Sequence, residues 1–281
     1  MLVVVFVDNI ASYVARYRTF DEPVPIGEIL VYPVKVKDYY TLVSSIDILR
    51  IEKNKIPDIQ IIQMSYLAFV LALIVEDDNY RQHFIDICKL CFHIGENDGA
   101  TIHKFETGRM LYHQDKGIEV YFINGYNIKF ISCDNIITLY IDDVAISGSE
   151  FDEIIDVIGF LNFPSYDNEE MSEDFRKLME EYYTLKNRNI NPPTLEEQII
   201  AVMGQTGMAK KDLMEETIYT LQAMVDSIMG KTDYLVQHLY RSHAMTDKKL
   251  PEIEHWLIKS KKNKYEEVFS DLEEYKQNFE I

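Results

Sequence analysis

The hydrophobic pattern changes period twice along the chain. From Ala11 to about Ile94 apolar residues recur mostly at helical spacing, from Ile102 to Ile141 the period falls toward two, and from Ser149 onward it is helical again. Before the first helix, Met1–Ile10 is a continuous β-branched run that suits a strand buried on both faces. Ala11–Phe20 then predicts a short helix, with Tyr13, Tyr17 and Phe20 on one side. Pro23 and Pro25 make Asp21–Ile26 extended or turning. Glu28–Val36 predicts an edge strand interrupted at Pro33. Asp38 is placed to cap a helix running to about Ile51, and Asp58 to open a longer one carrying Ile61, Leu67 and Leu73. A further helix spans about Tyr80–Ile94.

The middle of the chain predicts an antiparallel meander. Ile102–Glu106, Arg109–His113, Ile118–Ile123, Tyr126–Ile131 and Thr138–Ile141 are strand candidates, and Asn124-Gly125 is the strongest hairpin signal, since both residues tolerate positive φ. Ser149 is then expected to cap a helix over Glu150–Leu161, and a charged helix over Met171–Lys186 to follow a loop around Pro164.

The NRNINPP stretch, Asn187–Pro193, has the composition of a linker. It divides a mixed domain, 1–186, from a helical module, 194–281. That module opens on a capping box: Thr194 accepts from the third helical N–H, and Glu197 reaches back. Gly204 and Gly207 punctuate the first helix, and a second covers Ala209–Glu215. The third carries Ile218, Leu221, Met224, Val225 and Ile228 at helical spacing and closes at Gly230, with one more helix in Lys231–His243. After the Trp256 element, the tail over Lys262–Phe279 is amphipathic, with Tyr265, Phe269 and Leu272 along one stripe. The fold class is therefore α+β, a mixed domain with packed helices and a β meander followed by an all-α module.

Charge narrows the functional choices. The chain carries a formal −19, much of it between Asp142 and Lys186. A nucleic-acid reader needs a basic face for phosphates, and Thr194–Ala244 holds 7 acidic against 4 basic residues, so its helix–turn–helix appearance does not imply DNA binding. The acidic surface serves solubility or receives a basic partner. No apolar run reaches the length of a membrane span, so no membrane role is expected. Cys88, Cys91 and Cys133 make no disulfide framework and are read as reduced thiols. Cys88-x-x-Cys91-x-His93 has the spacing of a zinc half-site, but it falls inside an amphipathic helix and lacks a second ligand pair, so it is read as core and no metal is assigned. Asp142-Asp143 and Glu76–Asp78 are read as surface loops rather than cation sites. No nucleophile elbow, phosphate loop or dinucleotide fingerprint occurs, and neither a catalytic residue nor a cofactor is expected.

The segments YPVKVKDYY (32–40), EKNKIPD (52–58), ISGSEFDEII (146–155), TLEEQIIAVMGQTGM (194–208), IYTLQAMVDSI (218–228) and IEHWL (253–257) resemble, in order, a family of tail-assembly proteins from phages and prophages of Gram-positive bacteria. The resemblance covers the chain from about Tyr32 to Trp256. It implies a non-enzymatic morphogenesis protein of the host cytoplasm: a tail-assembly chaperone that holds the helical tape-measure protein, or alternatively a structural part of the virion tail or baseplate. Partners would be tape-measure or other tail proteins, with self-association also open. The residues expected to meet a partner are Ile218, Leu221, Met224, Val225, Trp256, Phe269 and Leu272.

Overall fold

A computed structural model describes residues 10–95, 111–113, 118–123, 125–134, 136–164, 166, 193–243, 253, 255 and 256. The architecture is α+β, as the two changes of period predict. The chain divides into two compact units: Met1–Asp167 with Met214–Thr220, and Asn168–Leu213 with Leu221–Ile281. The strand expected over Met1–Ile10, the strand over Ile102–Glu106, the charged helix over Met171–Lys186, the linker up to Pro193 and the tail helix lie outside the described residues, apart from Ile10 and Pro193.

The first unit opens with α1 (Ile10–Arg18). The next segment is a hairpin, β1 (Val24–Ile26) against β2 (Ile29–Val31), where a single strand over Glu28–Val36 was expected. Gly27, at φ 56°, supplies the left-handed backbone of the turn, and Pro25 is tolerated because β1 lies at an edge. The helix expected from Asp38 is broken into a 3-10 turn (Val36–Asp38), α2 (Tyr39–Ser45) and a second 3-10 turn (Ile46–Leu49), and the Asp38 side chain makes no cap bond. The long helix expected from Asp58 is likewise two, α3 (Ile59–Gln63) and α4 (Tyr66–Glu76). Asp58 caps the first by accepting from the Gln60 N–H at 2.8 Å. Ser65 starts the second by accepting from the Ala68 N–H at 3.2 Å. A polar residue inside the span expected for one helix is thus the N-cap of a second. Asp77 caps α5 (Asp78–Phe92) in the same way.

The meander is an antiparallel sheet in sequence order: β3 (Leu111–His113), β4 (Ile118–Ile123), β5 (Ile128–Cys133), β6 (Ile136–Ile141) and β7 (Val144–Ile146). β7 was not expected. It follows from Asp142 and Asp143, both at positive φ, which close a two-residue hairpin with Ile141 opposite Val144. The acidic pair is a turn, and Asp143 binds the Lys129 ammonium at 2.8 Å. One face of the sheet presents Tyr121, Ile123, Ile128, Phe130, Leu139 and Ile141, all buried, at alternate positions. Phe84 of α5 packs on Phe130 with ring centroids 5.7 Å apart. Arg81 donates from Nε to the Tyr121 hydroxyl at 3.0 Å.

Helix α6 (Gly148–Asn162) completes the core with Phe151, Ile154, Val157, Ile158 and Leu161. Its cap is Ser147, not Ser149: Ser147 accepts from the Glu150 N–H and Glu150 accepts from the Ser147 N–H at 2.8 Å, a full capping box. In the second unit, α7 (Leu195–Thr206) begins with the expected box between Thr194 and Glu197. It runs through Gly204 and ends at Gly207, whose φ of 76° makes the left-handed stop. α8 (Lys210–Glu215) follows. α9 is one continuous helix, Ile218–His243, so Gly230 does not terminate it. A glycine in a helix interior costs about 1 kcal/mol against alanine, too little to break so long a helix. Among the described residues no helix is long and apolar enough to cross a membrane.

Candidate functional site

Two features of the described residues can be tested as sites. The first is a cleft of about 430 Å³ in the first unit, lined by Tyr32, Lys35, Lys37, Lys89, His93 and Glu215 among others. The short segment Met214–Thr220, expected wholly within the helical module, belongs to the first unit and forms one wall. It lies antiparallel to Val34–Val36: the Val36 N–H donates to the Glu216 carbonyl and the Ile218 N–H to the Val34 carbonyl, both at 2.9 Å. Glu215 accepts from the Lys35 ammonium at 2.7 Å and from Lys37 at 2.8 Å. The two lysines pull the Glu215 carboxyl down to about 2. Thr217 accepts from the Thr220 N–H, starting α9, and its hydroxyl approaches Asp21 at 3.1 Å. Below the segment, the fully buried Asn162 accepts from the Val34 N–H at 2.8 Å and donates to the Ile158 carbonyl at 2.9 Å.

The chemistry of this cleft is that of a clasp. Glu215 takes both neighbouring ammoniums, and Lys89 lies 4.8 Å from the Tyr126 ring centre. His93 caps α5 in the left-handed conformation and stacks on Tyr32 at 3.9 Å. Burial and the Lys35 charge push its pKa down. Cys88 and Cys91 point into the core with no exposed surface, and burial drives both thiols up, Cys91 to about 12. Protonated core thiols are poor metal ligands, and among the described residues no three His, Cys, Asp or Glu side chains gather as a metal set. The Cys88-x-x-Cys91 spacing follows from packing one face of α5, and His93 stands beyond that helix as its cap.

The second feature is α9. Its first turns carry Ile218, Leu221, Met224 and Val225, four of the residues expected to meet a partner, and the structure divides that set. Ile218 and Leu221 are each 1% exposed and serve the packing of their own chain. Met224 and Val225 are half-buried. Trp256 is half-buried on the back of the helix, its Cβ 3.8 Å from where a side chain at Gly230 would begin, and the neighbouring His255 ring lies 5.2 Å from that of Tyr234. Phe269 and Leu272 lie outside the described residues. The exposed apolar side chains come later on the same helix: Met229, Leu235, Val236, Leu239 and Tyr240, with Leu235 at 51% and Leu239 at 61%. Their sequence signal is the continuation of the Leu221–Ile228 spacing past Gly230, which a helix ending at that glycine conceals.

No known protein family matches the chain, and neither a curated protein nor a solved structure matches it.

Proposed function

We propose that this is a non-enzymatic protein of phage tail morphogenesis, acting through protein–protein contact as a tail-assembly chaperone for the tape-measure protein. The observation that carries the interaction role is the second half of α9, where apolar residues stay exposed at helical spacing on the outside of a folded unit. Contiguous apolar surface of this kind marks an interaction face. The family resemblance over Tyr32–Trp256 supplies the biological setting, and with it the host cytoplasm as the place of action. The second reading, a component of the finished tail or baseplate, makes the same use of that face but retains the protein in the particle.

The test is affinity capture of the full chain from infected cells, beside mass spectrometry of purified particles. Recovery of the tape-measure protein, lost with Leu239→Glu, together with absence from the virion supports the chaperone. Stoichiometric copies in the virion overturn it in favour of the structural reading. Failure to recover any tail protein removes both.

A further inference from the structure

We propose that the exposed half of α9 is a coiled-coil seam whose occupant in the free protein is the same seam of a second copy. The proposal rests on reading α9 as an interaction face, and not on the identity of any client. Along the helix Leu221, Val225, Ile228, Thr232, Leu235 and Leu239 succeed one another in alternating steps of four and three. That is the 3.5-residue repeat by which two helices pack side by side. The seam is covered at Leu221, half-covered at Val225 and Ile228, and bare at Leu235 and Leu239, with Met229 and Val236 widening it on one flank. The apolar repeat therefore continues past the point where the described residues cover it.

Charge selects the occupant. The whole chain carries −19, so most of its surfaces repel a second copy. The bare stretch carries little of that charge. From Ile228 to His243 the only formal charges are Lys231, Asp233 and Arg241, and Asp233 and Arg241 stand off the seam. Two copies can meet here without opposing carboxylates, and a self-complementary patch closes as a two-fold dimer with no further open face. Thr232 places one polar layer inside the seam, which favours a fixed register over sliding.

The experiment uses the full chain with Cys133→Ser and a reporter thiol at Leu239→Cys. Cys88 and Cys91 are buried and stay unreactive. Molar mass by light scattering and the rate of maleimide labelling are followed from nanomolar to high micromolar protein. The expected result is a shift from monomer to dimer, with labelling slowed in step. A second variant, Leu235→Glu, at a solvent-facing site, leaves the helical circular dichroism unchanged and raises the dimer dissociation constant at least about 100-fold. A monomer at every concentration with a freely labelled thiol overturns the proposal. So does protection independent of concentration, which would mean that the chain covers its own seam. Dimer formation without capture of tail proteins from infected cells would leave the dimer standing and remove the proposed function alone.

Discussion

The two ends of α9 are built from the same kinds of residue and differ in what surrounds them. At the first turn, Ile218 is buried in the core of the first unit, its N–H is bonded to Val34, and Thr217 caps the helix. Near the last turns, Leu239 stands with 61% of its surface in water. Helical periodicity is equal at both ends, so periodicity reports that a face is apolar and not whether its own chain covers it. Covering depends on long-range partners such as Val34, which no local pattern encodes.

The comparison predicts unequal stability responses to similar truncations. Ile218→Ala empties a buried site at the first turn of α9 and is expected to cost about 2–5 kcal/mol in thermal or denaturant unfolding. Leu239→Ala, measured on dilute monomer, is expected to change stability by no more than about 0.5 kcal/mol. A large loss at Leu239 would show that the face is covered in solution by its own chain and would collapse the contrast between the two ends.

A smaller loss sharpens the role of the Met214–Thr220 segment. Asn162→Ala removes the acceptor of the Val34 N–H, leaving a buried donor unpaired, and is expected to cost about 1–3 kcal/mol. Asn162→Asp keeps an acceptor for Val34 but loses the donor to the Ile158 carbonyl, and it puts a carboxyl in a fully buried site. Amide exchange at Ile218 should rise in both variants if Asn162 holds the strand that receives the segment. Unchanged exchange would separate the two.

How much of this was legible follows the range of the interactions. The Thr194–Glu197 capping box, the meander and the Gly207 stop are local, so spacing alone indicated them. The break at Ser65 is absent from a single helix drawn from Asp58 through Leu73, and the cap of α6 falls on Ser147 rather than Ser149, because cap strength depends on backbone angles that composition does not fix. The partnership of Lys35 with Glu215 spans 180 positions, and neither residue carries a signal pointing to the other. Asn162 looked like the start of a loop, while its amide is the buried link between α6 and Val34. The bare seam of α9 was hidden by treating Gly230 as a stop.

At the cap of α7 the same contrast between local and distant support can be read out directly. Thr194→Ala removes the side-chain acceptor of the Glu197 N–H and half of a reciprocal box, and is expected to cost about 0.5–2 kcal/mol of helix stability. The loss should appear as faster amide exchange over the first turn of α7, with Val36 and Ile218 unchanged. Those two amides belong to the clasp in the first unit, which owes nothing to this cap.

The smallest expected effect concerns the clasp itself. Glu215 is half exposed, so its two ion pairs are screened by water and contribute little to global stability. Their sign is nevertheless fixed. The folded carboxyl titrates near 2, below its ordinary 4.5, because both lysines favour the charged form. The contribution is therefore present above about pH 4.5 and fades as pH falls toward 2. The observable is the protection of the Val36 and Ile218 amides relative to core amides, since these two donate across the join between Val34–Val36 and the returning segment. In the natural protein that relative protection should fall through this window. In Glu215→Gln it should start lower at pH 5 and show no further drop, because the group that titrates has been removed while its hydrogen-bonding shape remains. Equal protection in the two proteins across the window would mean that the backbone bonds and Ile218 hold the segment alone. The ion pairs would then be incidental to the burial that distinguishes the first turn of α9 from its last.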